Sequence, residues 1–495
     1  MTDITTNILL LAAVAILGWG LVRARSLGKL GILAWSQSVS LMAPWLILFG
    51  LMSAGVVVNL AGILLLLVVA VVVYIFLGRS LRKLALQEPP AKPLPDLHGT
   101  PSTLSRQPSQ EKSSDSAIAP DATEPPPIPA EDLQSIKGIF GIDTFFATET
   151  IPYQDGVIFK GNMRGESDVV WAQLTQKLET ALGDRYRLFL VQNPKERPVV
   201  IILPSRNDPK PSTVAQKLLA AGLLLGTFIT CCATAGALLQ FDLFEHFERT
   251  LETLPIGFGL FSVLVVHEIG HQVMARYHHV KLSWPFFLPA LQLGSFGALN
   301  RFESLFPNRT VLFDVAFAGP AAGGLYSLVL LILGLVLSSP NSLFKIPSLF
   351  FQGSILVGTL ARVVLGDSLQ GDTVGVSPLM VIGWIGLVIT AINLMPAGQL
   401  DGGRAVQAIY GRKTAGRTTV VTLVFLGIAS LVNTLALYWA AIILILQRDL
   451  ERPSQNELTE PDDARAGLLL LALFLMITVL IPLTPSLAGR LGIGM

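Results

Sequence analysis

Apolar residues in this chain come in long unbroken runs, with little of the period of a half-buried helix or strand. Crossing the hydrocarbon core as a helix takes about 20 predominantly apolar residues. Runs of that order recur at 7–22, 40–57, 58–78, 216–239, 255–275, 311–337, 376–396, 418–446 and 466–485. The pattern predicts an all-α polytopic membrane protein of about eight or nine spans. The division of 40–78 stays open, as does the count within 418–446, which carries Asn433 near its middle. At 86–130 the runs give way to Pro, Ser, Thr and charge, including Glu88-Pro-Pro and Glu124-Pro-Pro-Pro-Ile-Pro. Such a stretch buries too little apolar area to order itself and reads as a disordered linker. The segment 131–208 reads as a small soluble α+β module, with strand character at 156–160 and 187–191, helical apolar spacing at 169–182 and a short β-branched run at 198–203. The expected organisation is an N-terminal transmembrane extension (1–85), the linker (86–130), the module (131–208), a membrane core (209–450) and a C-terminal transmembrane helix (451–495).

Composition agrees with the bilayer as solvent: 52% of the 495 residues are hydrophobic and 14% charged, with a mean hydropathy of +0.61. A net charge of +1 calls for no nucleic acid. The two cysteines, Cys231 and Cys232, are adjacent in an apolar run and read as small core residues, since neighbours build neither a disulfide framework nor a thiolate metal site. The N-terminus lacks the basic region and cleavage site of a signal peptide, so the first run reads as a retained helix. Lys and Arg mark the cytoplasmic ends of spans. Arg23, Arg25 and Lys29, then Arg79, Arg82 and Lys83, then Arg276 and Lys281, then Arg404, Arg412, Lys413 and Arg417 follow alternate spans. All four clusters then share one face with the linker and module, and the loop 338–375 lies on the other. Its apolar part, 347–360, is a candidate to dip into the membrane without crossing.

Within the span at 255–275 stands His267-Glu268-Ile269-Gly270-His271. Histidines four apart leave one helix face a turn apart and can share a tetrahedral zinc. Glu268, beside the first of them, is placed to take a proton from a water at the metal and return one to a leaving amine. Two imidazoles and a carboxylate in an apolar span are costly unless paired or metal-bound. A catalytic zinc takes three protein ligands and keeps one open position, and His98, His246, His278 and His279 offer no comparable setting. Near the cytoplasmic end of a later span, Asn393-Leu-Met-Pro396-Ala-Gly-Gln-Leu-Asp401-Gly402-Gly403 places a carboxylate after a helix-breaking proline and before two glycines. Alone, Asp401 would read as a turn residue. On the same membrane face as an incomplete zinc site, ligation is the stronger reading.

These paired motifs resemble the signature of the site-2 proteases, intramembrane zinc metalloproteases with HExxH on one helix and an Asn/Pro/Asp-Gly motif on a later one. The chain is similar in particular to the cyanobacterial and chloroplast branch named in plants for ethylene-dependent gravitropism deficiency and a yellow-green phenotype. Gly161-Asn-Met-Arg-Gly165, Leu291-Gln-Leu-Gly-Ser-Phe-Gly-Ala298, Ala318-Gly-Pro320 and Leu400-Asp-Gly-Gly-Arg-Ala-Val-Gln407 carry that likeness, which covers about 131–447. The resemblance implies His267, His271 and Asp401 as zinc ligands, Glu268 as general base and acid, and Asn393 as a polar group near substrate or intermediate. It implies transmembrane protein substrates, cleavage within or beside the bilayer, and a cyanobacterial plasma or thylakoid membrane with the site toward the cytoplasmic face. Met395 and Ala397-Gly398 depart from the pattern, where many relatives carry a second proline.

Gly319-Pro-Ala-Ala-Gly323-Gly324 reads as close helix packing. The stretch from Trp284-Pro-Phe-Phe-Leu-Pro289 to Arg301 cannot be regular helix, and irregular backbone at membrane depth must be covered by protein or a water cavity. It reads either as a sheet-like loop that pairs with an unwound substrate or as an interfacial loop held by aromatics. Two rival functions stand against protease: a zinc or ion transporter, which has no need of Glu268, and an inactive membrane chaperone, which the intact motif residues disfavour.

Overall fold

The computed structural model describes residues 28–53, 128–153, 155–193, 197–431 and 433–493, with scattered positions in 20–25 and 66–80. The expected span at 7–22, most of that at 58–78 and the linker up to 127 lie outside the described residues. In place of a span at 40–57 there is helix α1, Gly28–Ser53, with Pro44 inside it. The chain divides into two compact units, one of 1–124 with 424–442, the other of 125–423 with 443–495. The second carries everything that bears on chemistry.

Its first part is a four-stranded antiparallel sheet in the order β1-β2-β4-β3. Helix α2 (Ala130–Gly138) precedes β1 (Phe145–Tyr153) and β2 (Gly156–Met163), and α3 (Ser167–Leu182) joins them to β3 (Tyr186–Gln192) and β4 (Pro198–Pro204). Val170, Leu174, Leu178 and Leu182 are the buried residues of α3, one stripe at a spacing of four. They pack on Phe145, Phe159, Leu188, Leu190 and Ile202 of the sheet. β1 was not expected. Only Phe145 of its nine residues is buried and Pro152 interrupts it, so it shows little of a strand's alternation. The outer edge of β3 is occupied by the chain itself: Leu190 N–H donates to the Gln455 carbonyl at 2.7 Å and Glu457 N–H to the Leu190 carbonyl at 2.9 Å. Asn456 reaches from that added segment to Asp168 at the start of α3, 2.8 Å away.

Among the described residues four helices are long and apolar enough to cross a membrane: Val214–Leu238, Phe247–Tyr277, Arg309–Val336 and Asp463–Leu480. They contain α4 (Val214–Leu238), α5 (Thr250–Tyr277), α6 (Arg309–Val336) and, late in the chain, α11 (Asp463–Leu480). α4 opens with a capping box in which Thr213 and Gln216 satisfy each other's backbone N–H groups. Cys231 and Cys232 are buried in α4, as expected. Between α5 and α6 the stretch that could not be helix forms a hairpin, β5 (Phe286–Ala290) with β6 (Gly294–Leu299), carried on α4 by hydrogen bonds from Thr230 to the Gly294 carbonyl and from Thr234 to the Leu291 carbonyl.

After α6, β7 (Phe344–Pro347) pairs with β8 (Thr373–Val376) around the eleven-residue α7 (Ile355–Leu365), which at about 1.5 Å per residue is too short to cross. Helix α8, Pro378–Asn393, has 16 residues where a span at 376–396 was expected, because Pro396 cannot continue it. α9, Asp401–Ala429, breaks at Gly411, where φ is +77°. Arg309 covers the carbonyls exposed just before that break, donating to Ala408 at 2.7 Å and Ile409 at 2.6 Å. The run at 418–446 is thus the end of α9 followed, after a turn, by α10, Thr434–Ile442. One ionic cluster fastens three helices together: Asp314 on α6 accepts from Arg465 of α11 at 2.6 and 2.9 Å and pairs with His278, just past α5, at 2.9 Å.

Candidate metal centre

His267 and His271 leave α5 on one face, both buried. His271 lies six residues before the helix ends at Tyr277, so the pair sits about 9–15 Å inside that end at the helical rise. Across from them α9 begins at Asp401. Pro396 and the positive φ of Gly398 (+49°) turn the chain out of α8, and Asp401 enters the first turn of α9, where a carboxylate opposes the helix dipole. The Met395 and Ala397-Gly398 departures leave a buried, hydrogen-bonded turn: Ala397 N–H donates to the Met395 carbonyl at 2.8 Å and Gly398 N–H to Thr419 Oγ1 at 2.8 Å.

Three side chains converge. His267 Nε2 is 3.1 Å from Asp401 Oδ2, His271 Nε2 is 3.4 Å from Asp401 Oδ1, and the two Nε2 atoms are 3.2 Å apart. His271 Nδ1 donates to the Val315 carbonyl at 2.7 Å, which in the neutral ring leaves a lone pair on Nε2. Lone pairs of two imidazoles and a carboxylate aimed at one point repel unless a cation lies between them. Tetrahedral zinc, with bonds of about 2.0–2.1 Å, sets its ligands about 3.3–3.4 Å apart. The donor set and its spacing therefore fit zinc. The Val315 carbonyl is the outer partner that a metal-ligating histidine ordinarily has.

Glu268 is the group beside the metal position that does not join this convergence, although it lies close enough to be counted with the two histidines as a metal-binding group. Its Oε2 accepts from Asn300 Nδ2 at 2.7 Å. A small cavity opens between Glu268 and the hairpin, lined among others by His267, Glu268, Phe287, Gly297, Thr390 and Asn393. Asn393 thus reaches the site, with its amide donating to the Ile389 carbonyl at 2.9 Å and the Phe296 carbonyl at 3.4 Å, which ties α8 to β6. Of the other histidines, His246 pairs with Glu248 and His278 with Asp314, away from the metal position, and His98 lies outside the described residues.

Several residues escaped the sequence reading. Asn300 and Glu451 stand in no motif, and Arg404, read as a basic residue at a helix end and part of the stretch 400–407, is instead buried against Glu451. Gly319 and Gly323, read as helix packing, face the two histidines. Their four-residue spacing matches that of His267 and His271, and this shared period was the available signal.

A buried site of two histidines and an aspartate, with a free glutamate and a hairpin at its mouth, is that of a membrane metalloprotease. The model of peptidase family M50 matches residues 256–433, and that of the EGY3 middle domain matches 134–210. The chain is 37% identical over 371 residues to the probable zinc metalloprotease EGY2, chloroplastic, of Arabidopsis thaliana, covering 73% of this chain and 67% of that protein. It is 35% identical over 410 residues to EGY1 of the same plant, covering 75% of each, and 34% identical over 361 residues to EGY3, covering 68% and 63%. No solved structure matches. The chain belongs to peptidase family M50, the site-2 proteases, in the branch of the EGY zinc metalloproteases.

Proposed function

We propose that the chain is an intramembrane zinc metalloprotease that hydrolyses peptide bonds of transmembrane proteins, with His267, His271 and Asp401 as zinc ligands and Glu268 as general base and acid. The convergence of two imidazole nitrogens and the Asp401 carboxylate, at contacts of 3.1–3.4 Å, carries this reading. Zinc, when bound, supplies a Lewis acid that polarises the scissile carbonyl and acidifies a water. Glu268 Oε1, left free while Oε2 accepts from Asn300, takes the proton of the water whose oxygen attacks the carbonyl carbon. It returns that proton to the amine nitrogen as the C–N bond breaks. Asn393 keeps the β5–β6 hairpin against α8 and stands on the substrate side. A helical substrate hides its carbonyls in hydrogen bonds, so it unwinds first and lies along the hairpin, where Phe287 and Gly297 line the cavity.

The five-part organisation given above, with eight or nine spans, extends the four helices long enough to cross. The chloroplast location in the relatives' names supports a photosynthetic membrane; a cyanobacterial plasma or thylakoid membrane rests on the sequence resemblance alone, and the basic clusters favour a site toward the cytoplasmic face. The experiment is cleavage of a single-span protein in liposomes by wild type, by Glu268→Gln and by chelator-treated enzyme. Both treatments abolish product, and the variant keeps its zinc. Full activity of a zinc-loaded Glu268→Gln enzyme overturns the assignment.

A further inference from the structure

We propose that Asn300 is a positioning residue for Glu268, held in place by Arg404 and Glu451; this rests on the reading of Glu268 as the base. Asn300 follows β6 directly, is 9% exposed, and donates from Nδ2 to Glu268 Oε2 at 2.7 Å. A carboxylate on a long side chain has two equivalent oxygens and several rotamers. One fixed donor on Oε2 selects a single rotamer and leaves Oε1 as the oxygen that moves the proton. Asn300 Oδ1 is buried and accepts from no group among the described residues.

Asn300 is itself fixed through its backbone. Its carbonyl accepts from Arg404 Nη2 at 2.6 Å. Arg404 lies three residues after Asp401 on α9, and its guanidinium pairs with Glu451 at 2.8 and 2.9 Å, both side chains buried. Gln407 Nε2 and Arg412 in turn donate to the Glu451 backbone carbonyl. One helix therefore supplies a ligand, Asp401, and the clamp on the hairpin residue that aims the base. The same turn of α9 thus holds Asp401 and, through Arg404, the residue that orients Glu268, while Glu268 itself is carried by α5.

The test uses the full-length zinc-loaded enzyme and a single-span protein that wild type cleaves and Glu268→Gln does not. Asn300→Asp keeps the shape, loses the N–H and adds a like charge beside Glu268. Asn300→Ala only removes the amide. Zinc stoichiometry in both is expected to equal wild type and KM to stay within about threefold, while kcat falls about 10- to 100-fold, as for other outer-shell partners of metal sites. Binding of a hydroxamate, a chelator that needs the base to accept its proton, is expected to weaken about tenfold in parallel. Asn300→Gln, which restores an amide N–H, is expected to recover part of kcat. Wild-type kcat in Asn300→Ala, or zinc loss in proportion to activity in both variants, overturns the proposal. Cleavage by Glu268→Gln would instead overturn the reading on which it rests.

Discussion

The His271 imidazole fills the space that any side chain on Gly319 would need. A Cβ built there lies 2.2 Å from Nε2 and 2.5 Å from Cδ2, and one on Gly323 lies 2.9 Å from the Cβ of His267. Two glycines a helical turn apart on α6 are the seats of two histidines a turn apart on α5. What reads from sequence as helix packing is therefore part of the metal centre.

Gly319→Ala is accordingly expected to push the His271 ring off its position and to lower zinc occupancy and proteolysis together, with an overpacking cost of about 1–3 kcal/mol. Gly222→Ala on α4, where an added Cβ meets nothing within 4 Å, is expected to change neither. Zinc content by atomic absorption on the two purified proteins distinguishes them. Full zinc in Gly319→Ala refutes the seat.

Removing Asp401, the proposed third ligand, has a graded outcome. Asp401→Ala is expected to leave two facing imidazoles, to bind zinc substoichiometrically and to lose activity. Asp401→Asn keeps an oxygen near both rings but no charge, and is expected to bind zinc more weakly than wild type and more tightly than Asp401→Ala. Competition with a chelator of known affinity gives the order, and equal retention in all three removes Asp401 from the ligand set.

The Arg404–Glu451 pair is buried, so breaking one side strands the other. Glu451→Ala is expected to destabilise the protein by about 3–5 kcal/mol, since Arg404 would keep the Asn300 carbonyl and the Phe302 ring face but lose its counter-charge. Thermal unfolding in detergent measures it, and a melting temperature unchanged from wild type would show that water replaces the carboxylate freely.

In the four-stranded sheet, burial pushes the Tyr186 phenol up to about 12, helped by the Asp132 carboxylate, which accepts its hydroxyl at 2.7 Å. Because the folded value lies above the ordinary one near 10, the phenol's contribution to stability is complete below pH 10. It is lost as pH rises from 10 to 12, on the order of 2–3 kcal/mol in all. The ultraviolet difference spectrum of wild type against Tyr186→Phe is expected to show this tyrosine titrating above the exposed ones. A midpoint near 10 would show that the phenol is solvated.

Local chemistry was the part legible in sequence. The spacing of His267 and His271, the Glu between them and the apolar run around them need only one helix to acquire meaning. Asp401 needed a topological argument as well, and the basic clusters supplied it. The joining of Asn300, Arg404 and Glu451 was not legible because each is an ordinary polar residue until three separate segments meet. α8 proved shorter than its apolar run, since hydropathy does not register the proline that ends it. β1 stayed hidden because an edge strand with one buried residue leaves almost no periodic trace.

The segment 455–457 that completes the edge of β3 also accounts for an order of events. A ribosome adding about 5–20 residues per second releases β3 long before it makes the strand that borders it, and α4, α5, α6, α8 and α9 are all made in the interval. Until then the module presents a bare row of backbone donors and acceptors, the kind of edge that pairs with whatever strand is near. Glu451, four residues before that strand, arrives with it. The residues that border β3 and the partner of Arg404 are therefore made together, and a nascent chain that already carries its two histidines and Asp401 still lacks both.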